Sequence, residues 1–227
     1  MTQELGDLPG GDGCVGDERC GVAGGLVRGG RGGRFDTHDA SPLQLGVVTT
    51  VQVGVVVGEP AATAVRSAYS GPPVAVPDAD PEGASVTLPV SGVGTVSDVT
   101  FSIDGTTCTA DEGSDTVGLD HSYVSDLTGR LTGPDGTTIT LFDRVGSQGV
   151  NFCQVEITDA ADRPIQFARD VDQPFTGSWR PAEALAAFSG ETGDGPWRFT
   201  AVDNALVDTG MIRAVSVQVR GFAAPPS

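Results

Sequence analysis

The stretch 174–210 reads PFTGSWRPAEALAAFSGETGDGPWRFTAVDNALVDTG, and its punctuation decides the fold. Trp197, Phe199 and Ala201 alternate, so both aromatic rings fall on one face of a strand. Pro174, Pro181, Gly190 and the Gly193–Pro196 run break the chain on either side of that strand. The helix-like run Pro181–Phe188 is too short to stand alone as a helix. It reads as one turn whose Leu185 and Phe188, at i and i+3, plug the end of a β structure.

Working outward, the same period-two pattern recurs. Val86, Leu88 and Val90 alternate, as do Val99, Phe101 and Ile103, and Val215, Val217 and Val219. Leu127 and Leu131 precede Pro134-Asp135-Gly136, and Ile139 and Leu141 follow. Pro134 fixes one φ and Gly136 frees another, so this segment reverses the chain into a hairpin. With 33 glycines and 15 prolines and no long helical period, the composition is that of an all-β protein. Short strands at turn-bounded spacing predict two packed antiparallel sheets.

Three blocks together resemble the P domain (P/Homo B domain) of proprotein convertases and bacterial subtilisin-like serine proteases. They are the 174–210 stretch, HSYVSDL at 121–127, which is similar to that family's HTYxGDL, and LTGPDGTTITLFDR at 131–144. The resemblance spans Val74 to Phe222. It implies an antiparallel jelly-roll β-sandwich over 74–222, with a C-terminal tail at 223–227. Residues 1–73 read as a poorly structured, low-complexity extension and linker. One strand is expected there over 46–57, and 58–73, with Pro60, Pro72 and Pro73, as linker.

The chain has 30 acidic residues against 13 arginines and no lysine, a net charge of −17. That balance disfavours nucleic acid and anionic membrane surfaces as partners. The GGLVRGGRGGR segment at 24–34 is basic but short and flanked by acids, and reads as linker. No apolar run approaches a membrane span. The start MTQELGDLPGGDG lacks the basic and apolar segments of a signal peptide. Four cysteines fit an oxidising compartment and allow three pairings. The simplest is Cys108–Cys153 within the domain and Cys14–Cys20 in the extension. With the resemblance, this implies an extracellular protein.

No catalytic residues are assigned. The sequence contexts of a subtilisin-like histidine and serine are absent. His38 lies beside Asp36, Asp39 and Ser41, but neighbours in sequence seldom form a triad. His121 occupies the HTY position and reads as structural, packing with Tyr123 or bonding a loop carbonyl. Short aspartates in loops suit calcium, a hard ion that takes oxygen ligands. Asp126, Asp159, Asp203 and Asp208 are the candidate ligands, with Asp120 a weaker fifth. Against this, each aspartate also suits capping a turn. Trp197 reads as core, whereas Trp179, in a loop beside Arg180, is more open to a surface role such as stacking on a sugar, although the resemblance, with an aromatic here and proline at 181, implies a packing role for it too.

The resemblance implies a non-catalytic module that stabilises or regulates a subtilisin-like catalytic domain, with structural calcium. The competing expectation is a free-standing secreted module that binds a glycan or another secreted protein.

Overall fold

A computed structural model describes residues 62–223. Cys14, Cys20, His38, the segment 46–57 and most of the expected tail lie outside the described residues. Twelve strands and four 3-10 turns make up the described fold, with no α-helix among these residues. The strands are β1 (Ala62–Ala68), β2 (Val74–Val76), β3 (Ala84–Val90), β4 (Thr95–Ile103), β5 (Leu119–His121) and β6 (Leu127–Thr132). They continue as β7 (Thr138–Asp143), β8 (Phe152–Ile157), β9 (Phe175–Trp179), β10 (Gly195–Asp203), β11 (Gly210–Ile212) and β12 (Val215–Phe222).

One sheet runs β1-β12-β4-β8-β5-β11-β2, with β9 added beside β8, and the other runs β3-β10-β6-β7. Their inner faces carry the alternating apolar residues. Along β3, Ala84, Val86, Leu88 and Val90 are buried and the residues between them exposed. Trp197, Phe199 and Ala201 of β10 are wholly buried. Phe101 of one sheet stacks on Phe199 of the other at 4.8 Å between centroids, and Phe142 meets Phe152 at 4.9 Å. These rings join the two sheets into a β-sandwich.

The hairpin forms at the expected place. Gly133 N–H bonds Thr137 O at 2.8 Å, and Gly136 takes a φ of 96°. The turn after Pro181 also forms, as a 3-10 turn over Leu185–Phe188 with both named side chains buried. Phe188 packs edge-on against Trp197 at 4.9 Å. Just before it, Ala182 and Glu183 donate N–H groups to Leu141 and Thr140, covering the free edge of β7.

Three expectations are corrected. The linker reading of 58–73 fails over Ala62–Ala68, because these residues form β1 and pair with β12 from Ala62↔Phe222 to Ala68↔Ser216. Prolines on both sides masked the weak Thr63, Val65, Ser67 alternation. The pairing is also not antiparallel throughout, since β8 and β9 run parallel. The long 158–174 connection, with two 3-10 turns, gives the chain room to cross back. Finally, Trp179 is not in an open loop. It ends β9, is 2% exposed, donates Nε1–H to Thr176 O and lies under the Arg163 guanidinium at 4.0 Å.

Candidate functional site

At one end of the sandwich β10 stops at Asp203, β5 stops at His121, and β6 and β11 begin at Leu127 and Gly210. Strand register brings these ends together, with Asp203 opposite Leu127 and His121 opposite Gly210. Only glycine fits at 210: a Cβ there would sit 2.1 Å from Asp120 O and 2.7 Å from His121 Cδ2.

His121 is wholly buried, and its Nε2 lies 3.2 Å from Asp203 Oδ2. Its Nδ1 lies 2.9 Å from the loop carbonyl of Tyr123 and 3.1 Å from Tyr123 N. The other Asp203 oxygen accepts Ala205 N–H at 3.1 Å. The structural expectation for His121 is met by these bonds. Ser122 Oγ turns away from the ring and donates to Asp208 at 2.9 Å. No serine–histidine–aspartate line exists here, and His121 has no face open to a substrate.

The loop 204–209 is tied down at its root. Asn204 Nδ2 donates to Asp126 O at 2.7 Å and Thr128 Oγ1 at 3.0 Å. Both carboxylate oxygens of Asp78 lie 3.1 Å from Val207 N and accept its N–H. Thr209 N–H bonds Ser122 Oγ at 3.3 Å.

Three of the four candidate metal aspartates therefore meet at this end. Asp126 is buried, and its carboxyl is pushed above the ordinary carboxylate range, first by burial and then by the charges of Asp203 and Asp208. No hydrogen bond among the described residues offsets that penalty. Asp159 is elsewhere. Its two oxygens accept Leu185 N–H at 2.9 Å and Ala186 N–H at 2.8 Å, which caps the 3-10 turn. Asp120 bonds Arg213 Nε at 2.8 Å, yet burial still raises its carboxyl above the ordinary range. Among the described residues no three His, Cys, Asp or Glu side chains converge as a ready set of metal ligands.

Asn151 organises this end without an obvious sequence signal. It is wholly buried at φ 61°, and its Nδ2 donates to Thr109 O at 3.0 Å and Asp111 O at 2.8 Å. Its Oδ1 accepts His121 N–H at 3.3 Å. The Cys108–Cys153 disulfide pins the same loop to β8. A lone polar residue between Val150 and Phe152, of a type that tolerates left-handed φ, was the available clue. A shallow groove of about 440 Å³ runs beside this loop, along Pro73, Asp104, Thr106, Val117 and Arg213. Two of its charges are paired outside it, Arg213 with Asp120 and Asp104 with Arg66, and Asp115 also lines it.

Residues 114–219, from the disulfide-pinned loop through β12, match the family model described as the proprotein convertase P-domain. Over these residues, just under half of the chain, the protein is similar to that family's P-domain. The matched span contains the buried His121–Asp203 contact, the β6–β7 hairpin and the 204–209 loop. Two solved structures are similar to the chain. One is the Aeromonas sobria serine protease in complex with its chaperone, at 18% identity over 73% of this chain with a TM-score of 0.44. The other is the serine protease of Aeromonas sobria, at 16% identity over 72% of this chain with a TM-score of 0.42. The chain spans 28% of the length of each. No curated protein matches it. Among the described residues no helix is long and apolar enough to cross a membrane.

Proposed function

We propose that this P-domain acts as a non-catalytic accessory module for a subtilisin-like serine protease domain in an extracellular setting. The family match over 114–219 carries the reading. A module that binds only the native protease raises that protease's folding stability by mass action. The Cys108–Cys153 disulfide fits an oxidising compartment.

The same reading includes structural calcium at the Asp203 end. Support comes from Asp126, whose carboxylate makes no side-chain hydrogen bond among the described residues and lies in the field of Asp203 and Asp208. A divalent cation would relieve that repulsion, with Asp126, Asp203 and Asp208 supplying carboxylate oxygens beside loop carbonyls and water. Asp159 is excluded from this set by its capping bonds. The glycan reading loses its aromatic platform, because Trp179 is 2% exposed and Trp197 is wholly buried.

The test mixes the whole chain with a recombinant subtilisin-like catalytic domain from the same genome, its nucleophilic serine replaced by alanine. The expected result is saturable binding by calorimetry and a higher unfolding midpoint of the protease. No binding to any such domain would sink the accessory role. Calorimetric titration of the chain with calcium chloride, repeated on Asp126→Asn, tests the metal: heat that is absent from wild type, or unchanged in the variant, removes it.

A further inference from the structure

Loop 204–209 presents two adjacent aliphatic side chains to solvent, Leu206 at 72% exposed and Val207 at 85%. Val207 does so at a φ of 91°, a region that β-branched residues rarely occupy. The conformation is imposed locally: Asp78 grips Val207 N–H, Asp203 grips Ala205 N–H, and Ser122 joins Asp208 and Thr209. Backbone strain at a fixed, exposed apolar tip points from structure towards recognition. Asp78, Asp203 and Asp208 bond to or lie within the loop, and the Asp126 carboxyl lies in the field of Asp203 and Asp208, so the tip rises from an acidic collar.

We infer that Leu206 and Val207 form a rigid docking knob that enters an apolar cup rimmed by arginine or lysine on the catalytic domain. This rests on the accessory role proposed above. Charge complementarity selects the occupant. The whole chain carries −17, which disfavours a second copy and favours a cationic rim. Topology leaves the knob accessible. Ala62 pairs with Phe222, Phe222 with Thr95, and Thr95 with Thr192, all near the start of β10. The loop follows the opposite end of β10, away from both places where the chain leaves the sandwich.

The test compares Leu206→Ser and Val207→Gly with wild type in the whole chain, using the serine-inactivated catalytic domain as probe. Leu206→Ser is expected to leave the unfolding midpoint of the free chain unchanged and to weaken binding at least about tenfold. Val207→Gly is expected to raise the free chain's midpoint by about 3 °C, since glycine accepts this φ without strain, yet to weaken binding as well. Wild-type affinity should fall as salt rises. Variants that bind like wild type overturn the knob and leave the accessory role standing. Wild-type chain that binds no catalytic domain overturns both. A midpoint that falls in Leu206→Ser would place the chain's own residues on the loop, and self-association abolished by the variants would make the occupant a second copy; either result overturns the proposal.

Discussion

Replacing Asp203 by alanine should cost far more stability than replacing Asp208, although the two aspartates lie five positions apart on one loop. Asp203 is 1% exposed and bonds two partners, the buried His121 Nε2 and the half-buried Ala205 N–H. Its removal strands both. Each stranded donor costs about 1–3 kcal/mol. We expect about 4 kcal/mol for Asp203→Ala, or a midpoint lowered by about 10 °C for a domain of this size. Asp208 is half-buried and accepts from Ser122 Oγ, so Asp208→Ala should cost about 1 kcal/mol. Asp203→Asn keeps an acceptor oxygen and should fall between them. The assay is urea unfolding in chelator, followed by tryptophan fluorescence, because Trp197 and Trp179 are both buried in the native state. Equal losses for Asp203→Ala and Asp208→Ala would refute the claim that the buried His121–Asp203 contact organises this end.

Asp126→Asn should stabilise the chain at neutral pH in chelator. The Asp126 carboxyl is raised in the folded state, so its ionisation costs more folded than unfolded. That penalty is complete at neutral pH and fades as pH falls through the folded value toward the ordinary 3.8, so the variant's thermal advantage should shrink over the same window. Reducing the Cys108–Cys153 bridge, which spans 45 positions, should cost about 4 kcal/mol on the chain-entropy account, read as a lower urea midpoint. A chain beginning at Val74 should melt well below one beginning at Ala62, since it lacks β1 and bares the edge of β12. Equal melting would mean that β1 contributes nothing to the sandwich.

Some of the fold was written locally. The β6–β7 turn needs only Pro134 and Gly136 in the right order, and β3, β10 and β12 show their buried face as plain alternation. The 3-10 turn at Leu185 followed from i and i+3 spacing after a proline. Site residues were legible as types, not as partners. Asp203 and Asp159 look alike in sequence, each a loop aspartate beside an apolar strand. One meets His121, 82 positions away, and the other caps Leu185 and Ala186. β1 was missed because its apolar signal is weak and its stability comes from register with β12, at the far end of the chain. Asn151 was missed for the same reason, since its amide matters only when the 109–111 carbonyls are folded against it.

The sequence by itself determined the all-β class and the identity of the turns, because period-two alternation and proline–glycine chemistry act over a few residues. Only the tertiary structure decided which carboxylates share one end, which tryptophan faces are covered, and that Leu206 and Val207 stand exposed. Those outcomes depend on strand register and on desolvation, which arise when distant segments close around one another and have no signature in any short stretch of chain.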